Sequence, residues 1–187
     1  MTDSKAQIQE RTVPDTVLLF IQRMDKLERG DLAILKRNAG QTIAQSRNAM
    51  SLFYRILPPP IADSPNEEIY FLVATLMPHN KHKFRGNFGM TMKAVKKARA
   101  GSEAVDRRMG ILLDSEFDLV DRFRYGGGEM AYRLRQCVKL AASNNIGVDW
   151  AILLDDLIWW SHHERRVRKR WARSYYAELR TSQDADS

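Results

Sequence analysis

The sequence contains a single cysteine, Cys137, among its 187 residues. A lone cysteine cannot form a disulfide within the chain, which favours a reducing compartment such as the cytoplasm. No apolar run approaches the roughly 20 residues that a membrane-spanning helix needs, because Asp155 and Asp156 interrupt the longest candidate, AILLDDLIWW. The first residues, MTDSKAQIQE, lack the apolar stretch of a secretory signal. We therefore expect a soluble, cytoplasmic protein that binds no membrane.

The sequence motifs of several enzyme classes are also missing. There is no G-x-x-x-x-G-K-[ST] phosphate loop, no G-x-S-x-G nucleophile elbow and no cysteine and histidine spacing typical of a zinc finger. The H-E-x-x-H arrangement of zincins and the His-Asp dipeptide of helical phosphohydrolases are absent too. Gly126, Gly127 and Gly128 adjoin no strand pattern and indicate a flexible turn. We therefore predict no catalytic residues, no metal and no cofactor.

Helical periodicity recurs along the chain, whereas no segment shows the period-two alternation typical of a β-strand. Apolar residues in 14–28 have helical spacing, with Gly30 as a stop and Asp31 as the next start. The fold class is therefore predicted to be all-α. The remaining predicted helices cover residues 31–38, 42–57, 67–77, 88–99, 103–114, 129–142 and 150–160, and a last one follows.

These helices are predicted to form two small packed helical lobes that meet near residue 100. Hydrophobic residues make up 44% of the chain, enough to bury a core. Asn66, Ser102 and Asp149 are the expected N-caps of their helices. The predicted organisation is a loose tail over 1–12, an N-terminal lobe over 13–100, a C-terminal lobe over 101–180 and a second tail over 181–187.

The stretch WWSHHERRVRKRWARSYY, residues 159–176, combines two histidines, a glutamate and many arginines. His162 and His163 are adjacent, so on a helix their side chains lie about 100° apart and do not converge on one metal ion. Ser161 and Glu164 have the S-x-x-E spacing of a capping box, in which each side chain satisfies the other's backbone amide. This spacing predicts that one helix stops just before Ser161 and another begins there.

The helix that follows is densely cationic. Val167, Trp171 and Tyr175 recur four residues apart and form a narrow apolar stripe, which suits the core better than membrane insertion. The rest of the circumference carries Arg165, Arg166, Arg168, Lys169, Arg170 and Arg173. Like charges at this density repel one another unless an anion is their normal neighbour. With 30 Lys and Arg against 23 Asp and Glu in the whole chain, a polyanionic partner is indicated.

Further basic residues fall into clusters typical of phosphate binding. Such contacts set affinity and register without reading base sequence. Two of these residues, Arg47 and Arg55, are eight apart and are predicted to share one helix face. The clusters are Lys36 with Arg37, Arg47 with Arg55, a loop containing Lys81, Lys83 and Arg85, then Arg107 with Arg108, Arg133 with Arg135, and Arg165 with Arg168.

Several short motifs recur in a specific order. They are FYRILP at 53–58, YFLVATL at 70–76, NFG at 87–89, VDRR at 105–108, YRLR at 132–135, VDW at 148–150, LLDDLIWW at 153–160 and RVRKRWA at 166–172. Their order and spacing resemble the CasB family, the small subunit of the type I-E CRISPR surveillance complex called Cascade. Residues 117–129, which contain three glycines, look like an insertion relative to that pattern.

The resemblance implies an all-α fold of two helical lobes without enzymatic activity. It implies as partners the crRNA, the target and non-target DNA strands, other Cascade subunits and a second copy of the chain, head to tail. In that family the subunit lines the crRNA–target heteroduplex and holds the displaced non-target strand of the R-loop, in antiviral defence. By motif position, nucleic acid would face Lys36, Arg37, Arg107, Arg108, Arg135 and Arg165, with a basic loop of variable length at Lys81, Lys83 and Arg85.

Two alternative functions remain open at the level of sequence. In the first, the chain is a helical scaffold whose basic face binds acidic protein partners. In the second, it is a metal-dependent nuclease that uses His162, His163, Asp155 or Asp156. Because the two aspartates are adjacent, we expect one to face inward and the other outward, which does not make a catalytic pair. Cys137 is expected to be buried and inert.

Overall fold

The computed structural model describes residues 12–117 and 128–177. Within these ranges the chain forms nine α-helices and no β-strand, which confirms the predicted all-α class. No helix there is long and apolar enough to cross a bilayer. The predicted tails and most of the 117–129 insertion lie outside the described residues. The helices are α1 (Asp15–Asp25), α2 (Arg29–Arg37), α3 (Met50–Ile56), α4 (Glu67–Leu76), α5 (Phe88–Ala98), α6 (Glu103–Asp114), α7 (Gly128–Ser143), α8 (Trp150–Ile158) and α9 (Arg166–Tyr176).

Two helix boundaries predicted in the first third of the chain are wrong. Gly30 does not stop a helix; it is the second residue of α2, where backbone amides need no partner inside the helix. Residues 42–49 form successive turns, and α3 begins only after them. Thr42 and Gln45 bond each other's backbone amides through their side chains, over 3.1 and 3.3 Å. These local bonds compete with the helix that the apolar spacing predicted.

Side-chain caps fix the starts of two helices. Asp149 caps α8 as predicted, because its Oδ1 accepts a hydrogen bond from the Ile152 amide over 3.2 Å. Asn87, which was not predicted as a cap, does the same for α5 over 3.2 Å. Ser102 and Asn66 occupy the N-cap positions of α6 and α4, but neither makes a side-chain cap bond. The sequence therefore located these four helix starts, but only Asp149 was given its observed capping role.

The buried side chains form one continuous core that crosses the predicted boundary near residue 100. α1 and α4 pack against α8, α5 runs along α9, and α6 lies beside α7. Aromatic rings fill the centre: Phe53 lies 5.1 Å from Phe71 and Phe88 lies 5.3 Å from Trp171, between ring centroids. Helices from both predicted lobes thus share a core, and the division into two lobes stays a prediction.

Candidate nucleic-acid interface

The predicted basic residues differ in exposure. Arg133 and Arg135 are half-buried in α7, and Arg168 is buried in α9. The others are exposed: Lys36, Arg37, Arg47, Arg55, Lys81, Lys83, Arg85, Arg107, Arg108 and Arg165. The two half-buried arginines of α7 matter most, because they connect the basic end of α2 with Arg108 in the middle of α6.

Arg135 fastens α7 to the end of α2. Its Nη1 donates to the carbonyl oxygen of Ala39 over 2.7 Å, just beyond Lys36 and Arg37, the last two residues of α2. Gly40 leaves room for this contact: its φ is 93°, and a Cβ there would lie 2.3 Å from Arg135 Nη1. Residues far apart in the sequence therefore place three cations at one corner of the fold.

A fourth cation, Lys139, joins this corner one turn further along α7. The pKa of the half-buried His79 is lowered by burial, and the nearby charges of Lys139, Lys36 and Arg135 lower it further. Neutral His79 therefore adds no charge of its own at neutral pH. None of Lys36, Arg37, Arg135 and Lys139 pairs with a carboxylate of residues 12–117 or 128–177. This corner is thus a concentration of uncompensated positive charge.

Tyr132 continues the basic surface along α7. The residue is 49% exposed, and the guanidinium carbons of Arg133 and Arg135 lie 5.5 and 5.8 Å from its ring centroid. Beyond Arg133, a cavity of about 200 Å³ between α6 and α7 brings Arg108 beside Tyr132. We call the cations joined by these contacts the basic track. Its members are Lys36, Arg37, Arg135, Lys139, Arg133 and Arg108.

One carboxylate of the described chain pairs with the basic track. Glu129 Oε1 lies 3.1 Å from Arg133 Nη2, in an exposed pair one helical turn apart. Exposed pairs contribute at most about 1 kcal/mol, so a phosphate can compete for this guanidinium. Because six cations face a single carboxylate, the track has the electrostatic footprint of a polyanion site.

The turn between α8 and α9 corrects the capping-box prediction. α8 ends at Ile158 and α9 begins only at Arg166, so Ser161 starts no helix. Glu164, the other half of the expected box, pairs with Arg166 instead. Arg165, the residue before α9, lies in the left-handed region with φ of 51° and has no side-chain cap bond.

Arg168 is part of the interior rather than a surface cation. It is 5% exposed, and its guanidinium donates to the Leu113 carbonyl over 3.3 Å and pairs with Glu116. The guanidinium carbon also lies 4.9 Å from the centroid of the Trp160 ring. Since these contacts occupy the side chain within the fold, we remove Arg168 from the candidate interface. The apolar stripe of Val167, Trp171 and Tyr175 is buried, as predicted.

Asp155 and Asp156 are both buried, at 3% and 1% exposure, so the prediction that one faces outward is wrong. Asp156 accepts a hydrogen bond from Trp171 Nε1 over 2.6 Å and pairs with Arg170. Burial raises the pKa of Asp156, although both donors favour its charged form. This carboxyl joins α8 to α9 and is not presented to a metal or a substrate.

His162 and His163 lie in the turn before α9, so the argument from helical spacing does not apply to them. Ligand atoms of these histidines and Glu164 all lie within 4.8 Å of one another. However, the imidazole rings stack with centroids 4.4 Å apart, and His162 Nδ1 already accepts a hydrogen bond from the Glu164 amide over 3.3 Å. Glu164 is already paired with Arg166, which lowers its pKa. This arrangement lacks the converging ligands of a zinc site.

The contacts that join the basic track involve none of the remaining predicted residues, of which Arg165 pairs with Glu116 over 3.8 Å. Arg47 is in the turns before α3 and does not share a helix face with Arg55, which pairs with Asp31 over 2.9 Å. The basic loop of residues 81–85 packs against Gly147, where an added Cβ would lie 2.4 Å from the loop backbone. The free cysteine, Cys137, is buried, as predicted.

Two members of the site were missed at the level of sequence, Tyr132 and Lys139. Lys139 follows Arg135 by one helical turn, a spacing that places both on the same face of α7 and could have indicated it. Tyr132 is part of the YRLR motif, but no role in binding was predicted for it. An aromatic residue beside two arginines is a pattern typical of single-strand binding surfaces.

Comparisons with known proteins identify the family and the fold of the chain. The family model described as CRISPR-associated protein Cse2 matches residues 31–176, which is more than half of the chain. The CRISPR-associated protein Cse2 of Thermus thermophilus is 37% identical over 112 residues, 58% of this chain and 56% of that protein. The match therefore spans about half the length of that curated relative.

Solved structures share the fold. The crystal structure of M. ruber CasB has a TM-score of 0.69 at 24% identity, covering 88% of this chain and 94% of that one. A chain of a CRISPR RNA-guided surveillance complex has a TM-score of 0.68 at 20% identity, covering 86% and 91%. At such identities the likeness establishes the shared helical fold. Together with the family match, it confirms the resemblance: the chain belongs to the Cse2 family of CRISPR-associated proteins, also called CasB.

Proposed function

We propose that this chain is a non-catalytic, nucleic-acid-binding subunit of a CRISPR surveillance complex of the Cascade type. The observation that carries the proposal is the basic track, where six cations from three helices face one carboxylate. A surface of fixed cations binds the phosphates of any strand and reads no sequence. The nuclease alternative gains little support, since its aspartates are buried, His162 Nδ1 accepts from the Glu164 amide, and Glu164 pairs with Arg166.

Within such a complex, the track would hold the displaced non-target DNA strand and line the crRNA–target heteroduplex. Opening a DNA duplex against a guide RNA is nearly balanced in energy, so a few backbone contacts suffice to favour the open form. The resemblance extends the proposal to a type I-E complex with other Cascade subunits and a second copy of this chain, head to tail. One structural neighbour is itself a chain of an RNA-guided surveillance complex, which supports this setting.

The proposal predicts that neutralising one track residue weakens strand binding through charge alone. The change is Arg37→Gln, at the exposed end of α2. We expect the Kd for a single-stranded DNA of about 20 nucleotides to rise about five- to tenfold at roughly 50 mM salt. The slope of log K against log salt should fall by about 0.7 to 1, because one fewer counterion-releasing contact is made. Fluorescence anisotropy titrations at several salt concentrations measure both quantities.

The matched control is Arg29→Gln at the opposite end of the same helix. Arg29 is exposed, and it lies outside the basic track. The Arg29→Gln variant should change neither the affinity for single-stranded DNA nor the slope of log K against log salt beyond the general effect of one net charge. The basic track would be contradicted if the two variants lose the same affinity, or if the loss of affinity depends on the DNA sequence. If assembly with partner subunits survives nuclease treatment while isolated protein ignores DNA at low salt, the acidic-partner scaffold is favoured instead.

A further inference from the structure

The cavity between α6 and α7 has the composition of a subsite for one nucleotide. It is lined by Arg108, Ile111, Tyr132, Arg133, Gln136 and Cys137. Its volume of about 200 Å³ is below the roughly 300–1,000 Å³ of pockets that hold drug-sized molecules. A group about the size of one nucleobase or one sugar-phosphate fits this space, whereas a base pair does not. The cavity therefore suits a single, unstacked nucleotide.

The walls of the cavity offer a surface for the base. The phenol ring of Tyr132 is half exposed at the rim, and Ile111 and the buried thiol of Cys137 supply apolar contact below it. Burial raises the pKa of Cys137 to about 12, so this thiol remains neutral and adds no charge that would repel a phosphate. The side-chain amide of Gln136 and the hydroxyl of Tyr132 are uncharged polar groups of the lining that can donate to and accept from a base edge.

The rim of the cavity offers a place for the phosphate. Arg108 from α6 and Arg133 from α7 both line the cavity, and the charges of both lower the pKa of Cys137 against the larger effect of burial. Arg133 uses Nε and Nη2 on Glu129, which leaves Nη1 to donate elsewhere. Two guanidiniums and an aromatic ring that line one cavity can combine phosphate binding with base stacking.

We infer that this cavity binds one nucleotide of a single strand, with its base stacked on Tyr132 and its phosphate held by Arg108 and Arg133. The inference rests on the proposed function, since the strand that follows the basic track supplies the nucleotide. The subsite adds a stacking contact with the face of the base, and cations that bind only phosphates do not make such a contact. Stacking on an aromatic ring accepts every base, so the subsite holds the strand without selecting a sequence.

The test compares two single strands of about 20 nucleotides. One is oligodeoxythymidylate, and the other carries the same phosphates on abasic sugars. The wild-type chain should bind the thymidylate strand between about fivefold and 150-fold more tightly, the range expected for one stacked base. Tyr132→Ala should bind both strands equally, at the affinity of the abasic strand. Tyr132→Phe should keep the preference, because the stacking ring remains.

Two further variants separate stacking from charge and from general surface change. Tyr176→Ala removes another tyrosine, 54% exposed and in α9, and should bind like the wild-type chain. Arg108→Gln should weaken both strands alike and reduce the salt slope by about 0.7 to 1. Thermal melts of each variant check that the fold is retained, which is expected because Tyr132 and Arg108 are on the surface.

The outcomes distinguish failure of the subsite from failure of the proposed function. If the wild-type chain binds both strands equally and its affinity falls steeply with salt, the subsite is overturned. The basic track is then still supported. A preference for thymidylate that survives Tyr132→Ala would overturn the subsite as well, since the base would then stack elsewhere. If the wild-type chain binds neither strand at low salt, the proposed function itself fails.

Discussion

The Asp156→Ala protein is expected to lose about 3 kcal/mol of unfolding free energy. The buried carboxyl accepts the indole N–H of Trp171 over 2.6 Å and pairs with Arg170. Its removal leaves that indole donor, in a fully buried side chain, without an acceptor, which costs about 1–3 kcal/mol, and it opens a small cavity. Arg170 is 39% exposed and can turn to water, so the loss stays at the low end of the 3–5 kcal/mol for breaking a buried pair.

Urea denaturation followed by tryptophan fluorescence measures this loss, against total stabilities of about 5–15 kcal/mol for such domains. Asp156→Asn should recover most of it, because an amide oxygen still accepts from Trp171 and no charge has to be buried. Asp114→Ala, at the exposed end of α6, should change stability by less than about 0.5 kcal/mol. If Asp156→Ala is as stable as Asp114→Ala, the carboxyl does not join α8 to α9 as described.

Helix type and core were accessible from the sequence because apolar periodicity reports burial directly. The stripe of Val167, Trp171 and Tyr175 is one example, since a four-residue spacing places all three on one face wherever the helix starts. The start of that helix was not accessible in the same way. The S-x-x-E spacing is a local signal of modest energy, and in the fold Ser161 caps no helix while Glu164 pairs with Arg166.

Tertiary contacts explain why single residues were harder to assign than elements. Arg168 was counted as a surface cation, and only the fold reveals that Glu116 and Trp160 enclose it. Asp155 and Asp156 follow one another, yet both are buried, because one side of α8 meets α1 and α4 and another meets α9. Neighbours in sequence lie about 100° apart on a helix, so a helix covered on several sides can bury both.

The basic track shows the same limit for the candidate site. Lys36, Arg37, Arg108, Arg133 and Arg135 were each predicted from composition and family resemblance, as separate clusters. Their union depends on one hydrogen bond between Arg135 and the carbonyl of Ala39, 96 residues apart in the chain, and on the ring of Tyr132. Long-range contacts of this kind leave no periodic trace in a single sequence. Their role in binding therefore stays a prediction, while their continuity is a property of the fold.

The Gly89→Ala protein is expected to lose about 3 kcal/mol of stability through a clash between two helices. A Cβ at position 89 would lie 2.2 Å from the carbonyl oxygen of Trp171, so α5 and α9 would have to separate. Overpacking usually costs about 1–3 kcal/mol, and the upper end applies because the opposing atom belongs to the backbone and cannot rotate away. Thermal and urea unfolding of the variant measure the loss.

Gly110→Ala is the matched control, because Gly110 lies inside α6 with nothing within 4 Å of its added Cβ. The free energy of unfolding of the Gly110→Ala protein should rise by about 0.5–1 kcal/mol, which is the difference between glycine and alanine inside a helix. Opposite signs for the same substitution would identify the α5–α9 contact as the cause. The basic track lies on α2, α6 and α7, so Gly89→Ala protein that is still folded at low temperature should bind single strands like the wild-type chain. A loss of binding there would move the interface to α9 and contradict the track.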